Sequence, residues 1–248
     1  MKKYLIIAVL LVVAALLTAA MRSFTSIDLI TSCDPIGNAE PLCGWQNPED
    51  MAALPDGLHV IVSEYGCMNG EKAGRLSLLD LQTERRTVLY AGGASAAAGP
   101  WGAEDCVEPA NQAFSPHGIH VSQRSDGRIQ LLAVQHDGRE SVEMFEVTRA
   151  ADGWTLAWRG CVIAPAGSTL NDVAAKPDGG FLVAHMMTKR GSPLEEFHEF
   201  LQAGLFGVEG GYVLIWQPDA GFSRRANSEG AMANGIEISP DGESVFVN

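Results

Sequence analysis

The feature that most constrains the fold of this 248-residue chain is a pattern that occurs four times along it. Each copy has a short apolar segment, a Pro-Asp-Gly or Ser-Asp-Gly turn and an alternating apolar segment, which together predict a β-hairpin. The four turn aspartates are Asp56, Asp126, Asp178 and Asp241. Repeats of roughly 40–50 residues with loop insertions indicate a β-propeller, because a β-sandwich would not repeat one turn in one context. We therefore expect an all-β propeller over residues 48–248.

The last copy of the pattern begins near Ala233, and the sequence stops at Asn248 in the middle of a predicted strand. A propeller normally closes by returning to its first blade, so we expect a fragment that forms about four blades. Its final strand would present an unpaired edge.

Residues 192–207 break the β pattern and predict one inserted helix. Apolar residues follow one stripe at helical spacing, namely Leu194, Phe197, Leu201 and Leu205. Ser192 before a proline, with Glu195 three residues on, predicts a capped start. We expect the stripe to pack on the blades beneath, with a stripe that faces a membrane or a substrate as the alternative.

The N-terminus has the features of an export segment. Lys2 and Lys3 precede an apolar run over residues 4–21. This run is longer than the hydrophobic region of a cleaved signal peptide, which has roughly 7–15 residues, and shorter than a transmembrane helix, which needs roughly 20. Residues 1–22 therefore predict a signal peptide or a signal-anchor, followed by a linker over residues 23–47. The rest of the chain is expected in the periplasm or outside the cell, and membrane association through residues 4–21 stays open.

The charge balance limits the classes of partner. The chain has 30 Asp and Glu against 17 Lys and Arg, a net charge of −13, and no basic cluster, which argues against nucleic-acid binding. A surplus of carboxylates instead suits Ca²⁺.

Export permits disulfides, so we interpret the five cysteines as structural, with one left unpaired. They are Cys33, Cys43, Cys67, Cys106 and Cys161, and their spacing fits neither zinc nor Cys-x-x-Cys chemistry.

Four short polar clusters stand beside the four repeats. They are Glu49-Asp50, Pro116-His117-Gly118-Ile119, Asn171-Asp172 and Ala233-Asn234-Gly235-Ile236. Each alone has a simpler explanation, such as an Asx-turn or a solvated acidic turn. Equivalent positions of successive blades converge on the central channel, however, so these side chains are expected to meet. Their carboxylate and amide oxygens are ligands that calcium prefers.

Two histidines flank the second repeat. His117 and His136 are expected to approach each other across the hairpin. One histidine could then orient its partner, and the oriented partner would accept a proton from water. A lone histidine beside a strand is more often a structural group. We interpret the remaining histidines in that way, and they are His59, His120, His185 and His198.

Several ordered motifs resemble the serum paraoxonase/arylesterase family. They are Phe-Ser-Pro-His-Gly-Ile at 114–119, Leu-Leu-Ala-Val-Gln-His at 131–136, Ser-Val-Glu-Met-Phe-Glu-Val at 141–147, Pro-Glu-Asp-Met-Ala-Ala-Leu-Pro-Asp-Gly-Leu at 48–58, Leu-Asn-Asp-Val at 170–173 and Ala-Asn-Gly-Ile-Glu-Ile-Ser-Pro-Asp-Gly at 233–242. The match covers the chain from about Cys43 to its end. The resemblance implies a six-bladed propeller with two calcium ions in its channel. Its substrates would be small molecules, namely lactones and aryl esters.

The resemblance also implies a role for each cluster. It assigns a catalytic calcium to Glu49, Asn171 and Asn234. It assigns a second, structural calcium to Asp50, Asp172 and the backbone carbonyl of Ile119. His117 would be the general base, assisted by His136.

The sequence departs from the family at three points. The family's catalytic calcium takes an Asp-Asn pair from a later blade, which lies beyond residue 248. Ala-His-Met-Met-Thr at 184–188 replaces a polar Asn-Asp-His stretch and makes the pocket more apolar. The family's closing disulfide would begin at Cys33 or Cys43, and its second half would be lost.

Two other functions remain open at this point. One is a sugar-lactone hydrolase of the gluconolactonase type with a single divalent metal, because the motif at 234–242 is shared with that wider group. The other is a calcium-stabilised propeller that binds without turnover. The pair His117 and His136 favours the arylesterase scheme, since the one-metal scheme does not call for it.

Overall fold

The computed structural model describes residues 33–66, 72–93, 101–106, 108–109, 114–151, 153–189 and 192–248. The predicted leader over residues 1–22 and Cys67 lie outside the described residues, as does the first part of the predicted linker. The chain divides into two compact units, Met1–Gly44 and Trp45–Asn248.

In the first unit, Cys33 and Cys43 form a disulfide with each other. Backbone hydrogen bonds between Ile36 and Ala39 close a tight turn between them, and Gly37 there has a φ of 63°. This short loop brings the two cysteines together. The expectation that one of them would wait for a partner near the C-terminus is therefore wrong for this structure.

The second unit is built from antiparallel sheets in chain order, and the predicted all-β, partial-propeller fold is confirmed. Blade 1 comprises β1 (Pro48–Ala53), β2 (His59–Glu64), β3 (Arg75–Asp80) and β4 (Arg86–Tyr90). Blade 2 comprises β6 (Pro116–Gln123), β7 (Ile129–Gln135), β8 (Ser141–Ala150) and β9 (Gly153–Ile163), and the short strand β5 (Trp101–Gly102) pairs parallel with β9. Blade 3 comprises β10 (Ser168–Ala175), β11 (Phe181–Thr188), β12 (Tyr212–Gln217) and β13 (Gly221–Arg224), and a further hairpin is formed by β14 (Ile236–Ile238) and β15 (Val245–Val247).

The four predicted hairpins are all present, and each joins the first two strands of a sheet. In every turn the aspartate Oδ1 accepts the backbone N–H two residues later, from Leu58, Arg128, Gly180 and Glu243. The glycine after each aspartate has a φ between 66° and 87°. The same local chemistry therefore produces the same hairpin four times.

The core lies between neighbouring blades. Leu131 and Ala133 of β7 pack into a cluster shared with blade 1, whereas Leu132 and Val134 pack into a cluster shared with blade 3. Because successive residues of a strand point to opposite faces, a strand covered on both faces needs a continuous apolar run. A buried disulfide between Cys106 and Cys161 lies in the first of these clusters.

The inserted helix α1 (Pro193–Phe206) begins and ends where its caps predict. The Ser192 side chain accepts the N–H of Glu195, and Gly207 ends the helix in the left-handed conformation. The prediction that its apolar stripe packs on the blades is wrong, since Leu194, Phe197 and Leu205 are 76%, 58% and 70% exposed.

The helix instead turns the side that carries Phe200 and Ala203 toward a cavity of about 310 Å³, which is also lined by Met186 and Met187 of β11. The small Ala203 is the buried contact on this side. Among the described residues, no helix combines the length and the apolarity that a membrane span requires.

Candidate active site and metal centre

Six of the eight predicted site residues lie on the first strands of blades 1 to 3, at points where the strand leaves its regular register. The other two are His136, which follows β7, and Asn234, which precedes β14. The register shifts fall between Pro48 and Asp50, between Pro116 and Ile119, and between Leu170 and Val173. Such β-bulges re-aim side chains and are common beside active sites. Consecutive residues of one strand can therefore point in different directions and belong to two different clusters of side chains.

The first group contains Glu49, His117 and Asn171. His117 Nδ1 lies 3.0 Å from the carbonyl oxygen of Asn171, and His117 Nε2 lies 3.4 Å from Glu49 Oε2. A carbonyl oxygen only accepts, so Nδ1 carries the ring proton and Nε2 of the neutral ring is an acceptor. Burial lowers the pKa of His117, and the neighbouring His136 acts in the same direction, against Asn171 and Glu49. The ring is thus held in the neutral form that a general base requires.

The structure brings His117 and His136 together, with ring centroids 5.3 Å apart in an edge-to-face arrangement. Tyr65 contacts both rings, at 5.9 Å from His117 and 5.8 Å from His136. Burial raises the pKa of Tyr65, and the charges of nearby carboxylates raise it further, so its phenol stays protonated. The sequence interpretation missed Tyr65.

A signal for Tyr65 exists in the register of the hairpins. Pro48 pairs with Glu64 in blade 1, and Pro116 pairs with Gln135 in blade 2. Tyr65 and His136 each follow the second residue of these pairs and are therefore equivalent in the two blades. An alignment of the repeats on their first strands would have placed both beside His117.

Behind His136 lies a carboxylate that the sequence interpretation also missed. His136 Nδ1 is 2.9 Å from Glu140 Oε1, and Glu140 Oε2 accepts a hydrogen bond from Lys189 Nζ at 2.8 Å. Glu140 is in the loop between β7 and β8, and Lys189 follows β11. No repeat pattern marks either position.

The second group is built around Asp50 and Asp172. Asp50 Oδ2 accepts the N–H of Ile119 at 2.7 Å, and Asp172 Oδ2 accepts the N–H of Ile236 at 2.9 Å. Each carboxylate thus ties the first strand of its own blade to that of the next. Both line a cavity of about 260 Å³ together with Ile119.

The electrostatics of this cavity suit a cation. Burial raises the pKa of Asp172 to about 6, although the N–H of Ile236 opposes the shift, and the negative charge of Asp50 raises it further. Burial also raises the pKa of Asp50, against the N–H groups of Ile119 and Met51. Two buried carboxylates, one of which raises the pKa of the other, are stabilised by a divalent ion with a preference for oxygen. The donor set therefore fits calcium.

Close packing of the strands surrounds this cavity. A Cβ on Gly118 would collide with the Cα and Oδ1 atoms of Asp172 and would lie 2.6 Å from the carbonyl oxygen of Asn171. Only glycine lets β6 approach β10 so closely. Gly118 is thus a packing requirement of the Asp172 site.

The two predicted asparagine ligands differ in their surroundings. Asn171 is buried, and its amide nitrogen lies 3.6 Å from the sulfur of Met186. Asn234 is exposed, and its backbone N–H donates to the carbonyl of Asn248. In the described part of the chain, no three His, Cys, Asp or Glu side chains form a metal-binding group. The predicted ligand sets depend on amide and backbone oxygens, and they stay predictions.

Comparisons with known proteins relate the chain to arylesterases. A family model described as Arylesterase matches residues 44–248. Human serum paraoxonase/arylesterase 1 is 29% identical over 206 residues, which cover 80% of this chain and 52% of that protein. The chain therefore spans about half the length of the curated relative it matches.

Among solved structures, a gluconolactonase from Xanthomonas campestris matches with a TM-score of 0.50 and 12% identity, over 82% of this chain and 54% of that one. At this identity the likeness concerns the fold alone.

Proposed function

Because this chain belongs to the arylesterase family, we propose that it hydrolyses lactones and aryl esters with calcium as its cofactor. The observation that carries the proposal is the placement of His117, whose Nδ1–H donates to the Asn171 carbonyl while its Nε2 faces Glu49. A neutral imidazole with a free acceptor nitrogen, held beside a carboxylate and a buried amide, suits the activation of water next to a metal.

The residues that would hold calcium form the two groups already described. Glu49, Asn171 and Asn234 are proposed for one ion, and Asp50, Asp172 and the carbonyl of Ile119 for the other. Calcium bound at the first group supplies a Lewis acid for the ester carbonyl. The second group lies between the first strands of three blades, where an ion would add to the hydrogen bonds that already join them.

The proposed proton transfer is carried by the chain's own side chains. His117 Nε2 takes a proton from the attacking water, whose oxygen bonds to the ester carbon. The bond from Nδ1 to the Asn171 carbonyl keeps the ring oriented during this step. The bond between the ester carbon and the leaving oxygen then breaks, and His117 gives the proton to that oxygen, so that the ring is neutral again.

The shape of the site also bears on the substrate. Met186 follows the β11 residue that pairs with Leu170, and it contacts the amide of Asn171. It is therefore the blade 3 equivalent of Tyr65 and His136. We propose that this apolar side chain, where the family carries a polar one, shifts the preference toward esters with apolar groups near the carbonyl.

Export is proposed with the function. Two disulfides, Cys33–Cys43 and Cys106–Cys161, are typical of proteins that fold in oxidising compartments.

The test of the function is a histidine substitution. His117→Gln is expected to lower kcat for phenyl acetate and for a δ-lactone by about 10²–10⁴-fold, because the general base is lost. The matched control is His198→Gln, the same substitution at an exposed position of α1. Assays use the longest product of the gene that contains this sequence. Equal rates for the His117 variant and the control would remove His117 from the reaction.

The one-metal gluconolactonase scheme is the alternative within hydrolases. A sugar lactone hydrolysed far faster than phenyl acetate, with His136→Gln as active as the wild type, would favour it over the proposal.

A further inference from the structure

Glu140 is a buried carboxylate directly behind His136, and the reaction proposed above does not use it. The side chains of His136 and Glu140 are only 14% and 10% exposed, and the distance from Nδ1 to Oε1 is 2.9 Å. A carboxylate in this position beside a histidine commonly fixes which ring nitrogen carries the proton.

Several elements hold Glu140 in place. Its Oε1 also accepts the backbone N–H of Leu170 on β10 at 2.6 Å, and its Oε2 accepts from Lys189 Nζ after β11 at 2.8 Å. Its own carbonyl accepts the N–H of Ala164 at 2.9 Å. The carboxylate is therefore fixed by donors from two blades rather than by its own loop alone.

These donors keep Glu140 ionised. Burial raises the pKa of Glu140, but the hydrogen bond and charge of His136, together with Lys189 and the N–H of Leu170, lower it below its usual range. An ionised carboxylate can only accept hydrogen bonds. Nδ1 of His136 must therefore carry a proton, and whenever the ring carries only one proton, Nε2 is the acceptor.

We propose that Glu140 is a positioning residue for His136, which it holds as the Nδ1–H tautomer so that Nε2 is free to receive a proton, and that Lys189 holds Glu140 in place. The proposal rests on the proposed function for its catalytic consequence. In this extension of the proposed reaction, the proton that His117 takes from water moves on to Nε2 of His136, and Glu140 offsets the positive charge of the imidazolium. The proton goes back to His117, which gives it to the leaving oxygen, and both histidines are then neutral again.

The test is Glu140→Gln in the whole protein, with ¹⁵N-labelled histidine, NMR and steady-state kinetics. The ¹⁵N shifts of the His136 ring are expected to show the Nδ1–H tautomer in the wild type and a mixture of tautomers in E140Q. The kcat for phenyl acetate is expected to fall by about 10–100-fold with KM unchanged, which is the usual effect of removing a residue that orients a functional histidine. Glu84→Gln, at an exposed turn between β3 and β4, is the matched control and should change neither readout.

Glu140→Asp serves as the conservative variant and as a second test if E140Q does not fold. It keeps the charge and should retain the Nδ1–H tautomer and most of the activity. An unchanged His136 tautomer in E140Q, or an unchanged kcat, overturns the proposal. If the wild type hydrolyses neither ester nor lactone, the proposed function fails, and the spectra alone then decide whether Glu140 sets the tautomer.

Discussion

Asp172 shows at the scale of a single residue how the fold prepares a cation site. Its carboxylate is buried, and it accepts the N–H groups of Ile236 and Val173. These two bonds only partly offset burial and the charge of Asp50, and the pKa remains at about 6. The site thus holds a carboxylate that is costly to ionise without a counter-ion.

This pKa leads to a pH-dependent prediction. Because the folded-state pKa of Asp172 lies above the ordinary 3.8, the folded chain binds this proton more tightly than the unfolded chain. The contribution of Asp172 to stability therefore falls as the pH rises from about 4 to about 6 when no metal is bound. Calcium favours the ionised form, so the increase in Tm on adding calcium should be larger at about pH 7.5 than at about pH 5.

The measurement is thermal unfolding with and without calcium at both pH values. Asp172→Asn is the matched control, since the amide oxygen can still accept the Ile236 N–H but carries no charge. Its calcium-induced shift in Tm should be smaller than that of the wild type and should depend less on pH. An equal shift in the wild type at both pH values would count against Asp172 as a ligand.

Single residues also show what the sequence could not predict. Glu49, Asp50, Asn171 and Asp172 could be placed near one another because they occupy the same point of a repeat. Glu140 reaches back from a short loop, and its partner Lys189 lies just outside a strand. Their contact depends on the path of irregular segments between two blades, which no periodicity encodes.

At the scale of elements, the first strands of the blades do most to shape the site. β6 lies so close to β10 that only a glycine fits at Gly118. Both strands carry a bulge at this point. The hydrogen-bonding carboxylates, the bulges and the close approach therefore all occur at one level of the propeller.

Gly118→Ala is predicted to disturb the cation site. The added methyl group would collide with Asp172, so β6 or β10 must shift and calcium affinity should fall by at least about 10-fold, as for other changes that displace a metal ligand. Titration calorimetry with calcium measures the effect. Gly204→Ala in α1 is the matched control, because its Cβ would meet nothing within 4 Å. Calcium affinity that is the same in both variants would contradict the close-approach argument.

The elements differ in how far the sequence predicted them. The four hairpins and the start of α1 follow from local chemistry, namely Asp-Gly turns and a serine cap, and all were predicted correctly. The burial of the α1 stripe was predicted wrongly, because periodicity shows that a helix is amphipathic but not which face meets the blade. In this structure Ala203, and not the apolar stripe, is the buried apolar residue of the helix.

On the scale of the whole molecule, a disulfide links the irregular segment after β5 to the core of blade 2. Cys106 and Cys161 are 55 positions apart and both are buried. The double variant Cys106→Ser and Cys161→Ser is expected to lose about 2–4 kcal/mol of unfolding free energy, since the cross-link constrains a long loop of the unfolded chain. Urea unfolding measures this loss.

The double variant Cys33→Ser and Cys43→Ser is the control for that prediction. Its bridge closes only a 10-residue separation within the first unit, so it should change the unfolding of the second unit much less. A loss of stability that is as large in the control would mean that the Cys106–Cys161 bridge has no special role in blade 2.

The propeller architecture and the meeting of the polar clusters could be predicted from the repeat and from the family motifs. The repeat fixes which positions of successive blades face one another, and its Asp-Gly turns recur in the first hairpin of each blade and in the β14–β15 hairpin. The repeat alone did not lead us to Tyr65, which follows the second strand of blade 1 and contacts the rings of both His117 and His136.

Reversible dependence of hydrolysis on calcium tests the central claim most directly. The rate of phenyl acetate hydrolysis would be measured with calcium, after addition of a chelator, and after calcium is restored. The account predicts that activity disappears with the chelator and returns with calcium, in parallel with a fall and recovery of Tm. Activity that persists in the chelator, or a folded and calcium-bound protein without activity, would contradict it.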